Sequence, residues 1–375
     1  MKNKTFQSVA ALVGTTIGAG IFGLPFVVAK VGFVPGIIYL LVLGFLTLLL
    51  NLCYGEVILR TPGDHQLTGY CQIYLGKWGR AIALLALLLT VYGALLAYFI
   101  KIGEFLSLIF GFGPPLLWSF TFLVLASLAL FFGLRTVGPL EGFLVILLLG
   151  LILLLSLLGF SKAQPSNFSR FNPKFLFLPY GVMLFALSGS SVIPEMEEIL
   201  REKRETLKKA ITIGTAIPVV FYLLFVIIVV GVCGEKTSDD AISGLSLFLP
   251  TWVVNLGAIL GTLTMGTSFL ALGYVLREVY FRDFKIPKVV AWFLVCLGSP
   301  VFYFLCAKGF IEIIGATGSL MGGLTGVLIV LMFLRAKQLG KREPAFVISF
   351  PNLFIKLLIF VFLLGIVWQM GEVLG

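Results

Sequence analysis

The stretch Leu12-Val13-Gly14-Thr15-Thr16-Ile17-Gly18-Ala19-Gly20-Ile21-Phe22-Gly23-Leu24-Pro25 decides how this chain is read. It lies in the middle of the first long apolar segment, yet the twelve residues from Gly14 to Pro25 hold four glycines and a proline. Glycine weakens a helix, and proline removes a donor and clashes with the preceding turn, so the helix is expected to break here. At membrane depth such a break leaves N–H and C=O groups unpaired, which is tolerable only where protein, water or a ligand supplies partners. A broken helix in hydrocarbon is therefore a candidate binding site.

Working outward, composition fixes the solvent. The chain has 375 residues, 59% of them hydrophobic and 12% charged, with mean hydropathy +1.11. A single water-facing globule cannot hide that much apolar surface. The apolar runs are about 20 residues long and lack the alternation of a porin strand, so an all-α integral membrane protein is expected. The net charge of +10 fits basic residues at cytoplasmic membrane ends, and nucleic acid is not a partner on this reading. Cys53, Cys71, Cys233, Cys296 and Cys306 show no metal-ligand spacing.

Eleven spans can be placed: 6–29, 34–59, 81–100, 116–134, 140–160, 175–200, 210–232, 250–276, 287–306, 310–334 and 348–370. The first is too long for a signal peptide and lacks a small-residue cleavage site, so it is expected to stay in the mature protein. Most lysines and arginines fall on one side when the N-terminus is cytoplasmic, which puts the C-terminus outside. The segment 61–80 reads as a short interfacial helix with Tyr70, Tyr74 and Trp78 at headgroup level. Short loops point to a prokaryotic inner membrane and leave no room for a soluble catalytic module.

The sixth span carries a second interruption, Phe185-Ala186-Leu187-Ser188-Gly189-Ser190-Ser191-Val192-Ile193-Pro194-Glu195. Spans one and six then enter from opposite sides and split the first ten spans into two inverted sets of five. The competing reading of Gly14-xxx-Gly18 alone is a face for close helix packing. Two breaks in corresponding positions favour a shared site.

These residues carry a resemblance. The run from Gly14 to Pro25 is similar to the first-helix signature of the amino acid/polyamine/organocation superfamily. The run from Phe185 to Glu195 resembles the sixth helix of its amino acid/auxin permease and aromatic amino acid permease branches. The resemblance implies about 11 transmembrane helices in a leucine-transporter-type fold. In that fold residues 1–160 form the first repeat, 161–335 the inverted second repeat, and 336–375 an additional helix. It also implies helices one and six unwound around an amino acid.

The N–H groups of Gly18, Ala19 and Gly20 would then meet an α-carboxylate, and carbonyls of Thr15, Thr16, Phe185 and Ser188 an α-ammonium. Phe185, Phe22, Tyr92 and Phe269 are the expected pocket walls. With no acidic residue at pocket depth, the expected substrate is a neutral amino acid, aromatic or small and apolar.

Matched residue by residue, the resemblance implies a sodium shell of carbonyls from Gly14, Ile17 and Thr264 with hydroxyls from Thr267 and Ser268. The alternative is that these hydroxyls bond back to their own helix. Proton coupling is the rival, with Glu56, Glu141, Glu195 and Glu312 as candidates, although span five lacks the mid-depth lysine of proton-coupled relatives. No cofactor beyond the coupling ion is expected. An enzyme is excluded, since His65 is the only histidine and no acidic pair stands at metal spacing. A channel fits an inverted pair of breaks less well than a carrier.

Overall fold

The computed structural model describes residues 4–132, 138–282, 284–306 and 308–374. The expected end of span four at Leu134, the side chain of Glu141 and the terminal Gly375 lie outside the described residues. The secondary structure is helical throughout the described part. In order it runs α1 (Lys4–Thr16), α2 (Gly20–Val31), α3 (Phe33–Arg60), α4 (Leu67–Phe110), α5 (Pro115–Phe132), α6 (Gly138–Phe160) and α7 (Leu178–Ala186). Then follow α8 (Ile193–Ile199), α9 (Leu207–Cys233), α10 (Thr251–Arg282), α11 (Lys288–Cys306), α12 (Phe310–Ala316), α13 (Gly323–Leu339) and α14 (Asn352–Leu374).

Among the described residues, nine helices are long and apolar enough to cross a bilayer, and α1 with α2 forms a further span bent by 56°. The segment expected as span six is two short pieces, α7 and α8, parted by six residues that are not α-helical. The structure thus breaks the chain in the two places where the Gly/Ser clusters lie.

Two glycine-dependent features shape the scaffold. Gly76 adopts φ +76° and ψ −164° inside α4, a conformation closed to most L-residues, and it divides an interfacial turn from the long span. Of the aromatic residues expected at headgroup level, only Trp78 is exposed. Tyr70 and Tyr74 are buried, Tyr74 sharing a hydrogen bond of 2.8 Å with Thr61. The turn folds inward because the phenols find partners there. Farther along, α12 runs into α13 through a π-turn at Thr317–Gly322. A Cβ on Gly318 would collide with the Gly181 carbonyl and lie 2.7 Å from Phe185 N, so two glycines let α7 and the π-turn touch backbone to backbone.

One end of the bundle is basic and tightly tied. Glu56, fully buried, accepts from Arg60 Nε at 2.8 Å and from the Ile348 N–H at 2.6 Å. Arg342 donates to the Leu59 and Ile58 carbonyls, which satisfies the open C-terminal end of α3. Glu197 is held by Arg204 at 2.5 Å and Arg342 at 3.6 Å. Arg201 donates to Asp64 at 2.5 Å and holds its carboxyl below the usual carboxylate range. A lowered carboxyl pKa favours the pair above the ordinary carboxylate range and loses it only as pH falls below about 4. The thermal unfolding midpoint measured between about pH 6 and 8 is therefore expected to show no inflection that Asp64→Asn removes.

At the other end, Lys101 is fully buried between Glu104 and Asp239, 3.5 Å from the latter and 4.5 Å from the centre of the Phe310 ring.

Candidate substrate site

Both breaks face one cavity of about 210 Å3. That is below the roughly 300–1,000 Å3 of sites for drug-sized ligands, and is sized for a metabolite. Thr15, Thr16, Gly18, Ala19, Gly20, Phe185 and Ser188 all line it. No charged side chain stands among the described lining residues.

The helix breaks prepare two opposite electrostatic ends. The first backbone bonds after the break are Ile21 N to Gly18 O and Phe22 N to Ala19 O. The N–H groups of Ala19 and Gly20 therefore begin α2 without a backbone acceptor among the described residues. Such groups at the positive end of a helix dipole attract an anion.

On the acceptor side, the expected carbonyls differ from one another. Thr16 O receives the Gly18 N–H at 3.1 Å and the Tyr222 hydroxyl at 2.9 Å, so both its lone pairs are engaged. Phe185 O receives the Ser188 N–H at 3.2 Å and keeps one lone pair. The hydroxyls of Thr15, Thr16 and Ser188 bond back to Ala11, Leu12 and Leu184. These side chains are spent on their own helices, leaving main-chain oxygens to face the cavity.

Tyr222 was not singled out by the sequence. It is fully buried on α9, and its hydroxyl lies 2.9 Å from both Thr16 O and Ala186 O, one at each break. Close packing completes the junction. A Cβ on Gly20 would stand 2.5 Å from Ala186 Cα, and one on Gly189 would strike the Thr16 hydroxyl.

The expected aromatic walls are only partly brought here. Phe185 lines the cavity, whereas Phe22, Tyr92 and Phe269 do not. Tyr92 turns toward α10 and α11, its hydroxyl 2.8 Å from that of Tyr280 and 3.2 Å from Leu294 O. The cavity face of α4 is instead Leu87, Thr90, Ala94 and Tyr98, spaced by three or four residues as one helical stripe demands. Phe269 packs edge-on against Phe122, with ring centroids 5.2 Å apart. Phe22 meets Phe105 at 5.4 Å, and together they cover Gly261.

Other lining residues went unread in the sequence. Thr317, Gly318 and Gly322 come from the π-turn, a feature often found at functional sites, and Phe362 comes from α14. The glycines of Gly315-Ala316-Thr317-Gly318-Ser319-Leu320-Met321-Gly322-Gly323 were the available signal for the first three.

Gly14, Ile17, Thr264, Thr267 and Ser268 lie outside the cavity wall. Thr267 donates to the Thr264 carbonyl at 2.9 Å, while the Thr264 hydroxyl is buried without a partner among the described residues. The main neighbours of α1 are α9 and α8, and those of α10 are α4 and α6, so the two parts of this set sit on differently packed helices.

Glu195 and Glu312 are exposed, and Glu56 is occupied by Arg60 and Ile348.

Apolar helices of membrane-crossing length, together with the bent pair α1–α2 and the interrupted segment α7–α8 that meet at one cavity, define an integral membrane protein of the permease class. The model of the tryptophan/tyrosine permease family matches residues 1–369, and the chain belongs to that family. Tyrosine-specific transport system 2 of Haemophilus influenzae is 27% identical over 350 residues, covering 85% of both chains. Tyrosine-specific transport system 1 of the same organism is 25% identical over 367 residues, covering 91% of this chain and 90% of the relative. Glutamine transporter 2 of Aliivibrio fischeri is 23% identical over 338 residues, covering 86% of both. These relatives are transporters and not enzymes.

Proposed function

We propose that this protein is a secondary transporter of neutral amino acids, with aromatic side chains preferred, working by alternating access. The observation that carries the reading is the single cavity into which both helix breaks open, with free N–H groups of Ala19 and Gly20 on one side and main-chain oxygens on the other. Such an arrangement matches an α-carboxylate and an α-ammonium and leaves the side chain to an uncharged wall. The relatives' names, tyrosine transporters and a glutamine transporter, support amino acids as the substrate class.

In this reading α1–α6 and α7–α13 are the two inverted repeats, and the basic end is cytoplasmic. The exposed lining residues Thr15, Ser188 and Ser191 lie on the halves leading to that end. On the far side stand buried Phe22 and Phe105, with Lys101 and its carboxylates about one turn from Phe105 on α4. The conformation is thus inward-facing.

Sodium is the coupling ion in this proposal, bound by Gly14, Ile17, Thr264, Thr267 and Ser268 when α1 closes on α10. Thr267→Val combined with Ser268→Ala is expected to remove sodium-dependent stabilisation, read as thermal shift in sodium against potassium salt. An unchanged sodium response overturns the ion site.

The test of the whole reading is a thermal-shift screen of the twenty amino acids in both salts. A ligand at 100 times its Kd stabilises the state it binds by about 2.7 kcal/mol. Tyrosine, tryptophan or phenylalanine is expected to give the largest shift, followed by counterflow in proteoliposomes. No shift with any amino acid would refute it.

A further inference from the structure

Two residues of α3 that line the cavity each carry a buried polar atom without a hydrogen-bond partner among the described residues. Asn51 and Tyr54 line it, each only 1% exposed. Asn51 donates through Nδ2 to the Thr215 hydroxyl at 3.1 Å, which fixes the amide and leaves Oδ1 without a partner among the described residues. The Tyr54 hydroxyl is also buried without a partner among the described residues, and its ring is held edge-on by Tyr70 with centroids 5.8 Å apart. A buried polar atom without a partner is unfavourable, and here one acceptor and one hydroxyl lie three residues apart on the helix that forms this wall.

Their placement fits a side-chain reader. Asn51 is nine residues before Arg60 at the basic end of α3, or about 13.5 Å along the axis, which puts it near the middle of a hydrocarbon layer about 30 Å thick. The broken helices supply what a zwitterion needs, and α3 takes no part in either break. The cavity contains no charge, so the group read here is neutral.

We infer that Asn51 and Tyr54 form a polar subsite that recognises the phenol hydroxyl of a tyrosine substrate. In it the substrate hydroxyl donates to Asn51 Oδ1 and accepts from the Tyr54 hydroxyl. This assignment rests on the amino acid transporter reading and specifies the part of that site which distinguishes tyrosine from phenylalanine. A site built to hydrogen-bond a substrate hydroxyl discriminates strongly against the analogue that lacks it, because its own polar groups are then left bare.

The experiment compares tyrosine and phenylalanine binding to detergent-purified wild type, Tyr54→Phe and Asn51→Leu, with competition against labelled tyrosine or phenylalanine as readout. Tyr54→Phe deletes one oxygen and keeps the ring against Tyr70, so it tests the subsite even where Asn51→Leu disturbs Thr215. Wild type is expected to favour tyrosine at least about tenfold, and each variant to bring that ratio toward one. A wild type that binds both equally, or variants that keep the wild-type ratio, would overturn the subsite while leaving the transporter reading intact. A wild type that binds no amino acid would overturn both.

Discussion

Gly20→Ala is expected to abolish uptake. The new Cβ would lie 2.5 Å from Ala186 Cα and 2.8 Å from Ala186 Cβ, and a main-chain neighbour cannot swing aside as a flexible side chain would. Overpacking of this kind costs about 1–3 kcal/mol, but the larger loss is geometric. Moving α2 away from α7 by even a fraction of an ångström separates the amide end of the site from the carbonyl end. A fall in uptake of at least about tenfold, with the protein still extractable in folded form, is the expected result. Gly150→Ala on α6 is the matched control, because among the described residues nothing beyond its own stretch of helix lies within 4 Å of the added methyl. Normal uptake by the Gly20 variant would show that the junction between the breaks has slack to spare.

Tyr222→Phe ranks second. Its single hydroxyl proton is shared between Thr16 O and Ala186 O, and its removal leaves Thr16 O with the Gly18 N–H alone and takes the shared donor from Ala186 O. Loss of a donor to buried carbonyls costs about 1–3 kcal/mol, which a lowered unfolding midpoint should register. Uptake should fall with it, since the two breaks lose a side chain that bonds to both of them. An unaltered midpoint and unaltered uptake would mean that water replaces the hydroxyl without penalty.

How far the chain could be read in advance follows from the physics of each signal. The breaks were legible because Gly14 to Pro25 and Phe185 to Glu195 place helix-weakening residues inside apolar runs, a local conflict that needs no tertiary knowledge. Facing was not legible. In helices apolar all round, the polar stripe that normally marks the buried side is absent, so the sequence points to Tyr92 and passes over Tyr98, the tyrosine of α4 that lines the cavity. Tyr222 was hidden for a related reason. It is one tyrosine in an apolar run whose partners, Thr16 and Ala186, are 206 and 36 residues away and are main-chain oxygens that carry no sequence signature.

The last helix bears on how small such a carrier can be made. Phe362 of α14 forms part of the cavity wall and lies against Gly326, and Tyr180 of α7 donates to Val361 O at 3.1 Å. A chain trimmed of its last helix would therefore be a vessel with a missing stave: acyl chains could leak into the chamber sideways, and a minimal scaffold for engineering new cargo has to retain α14.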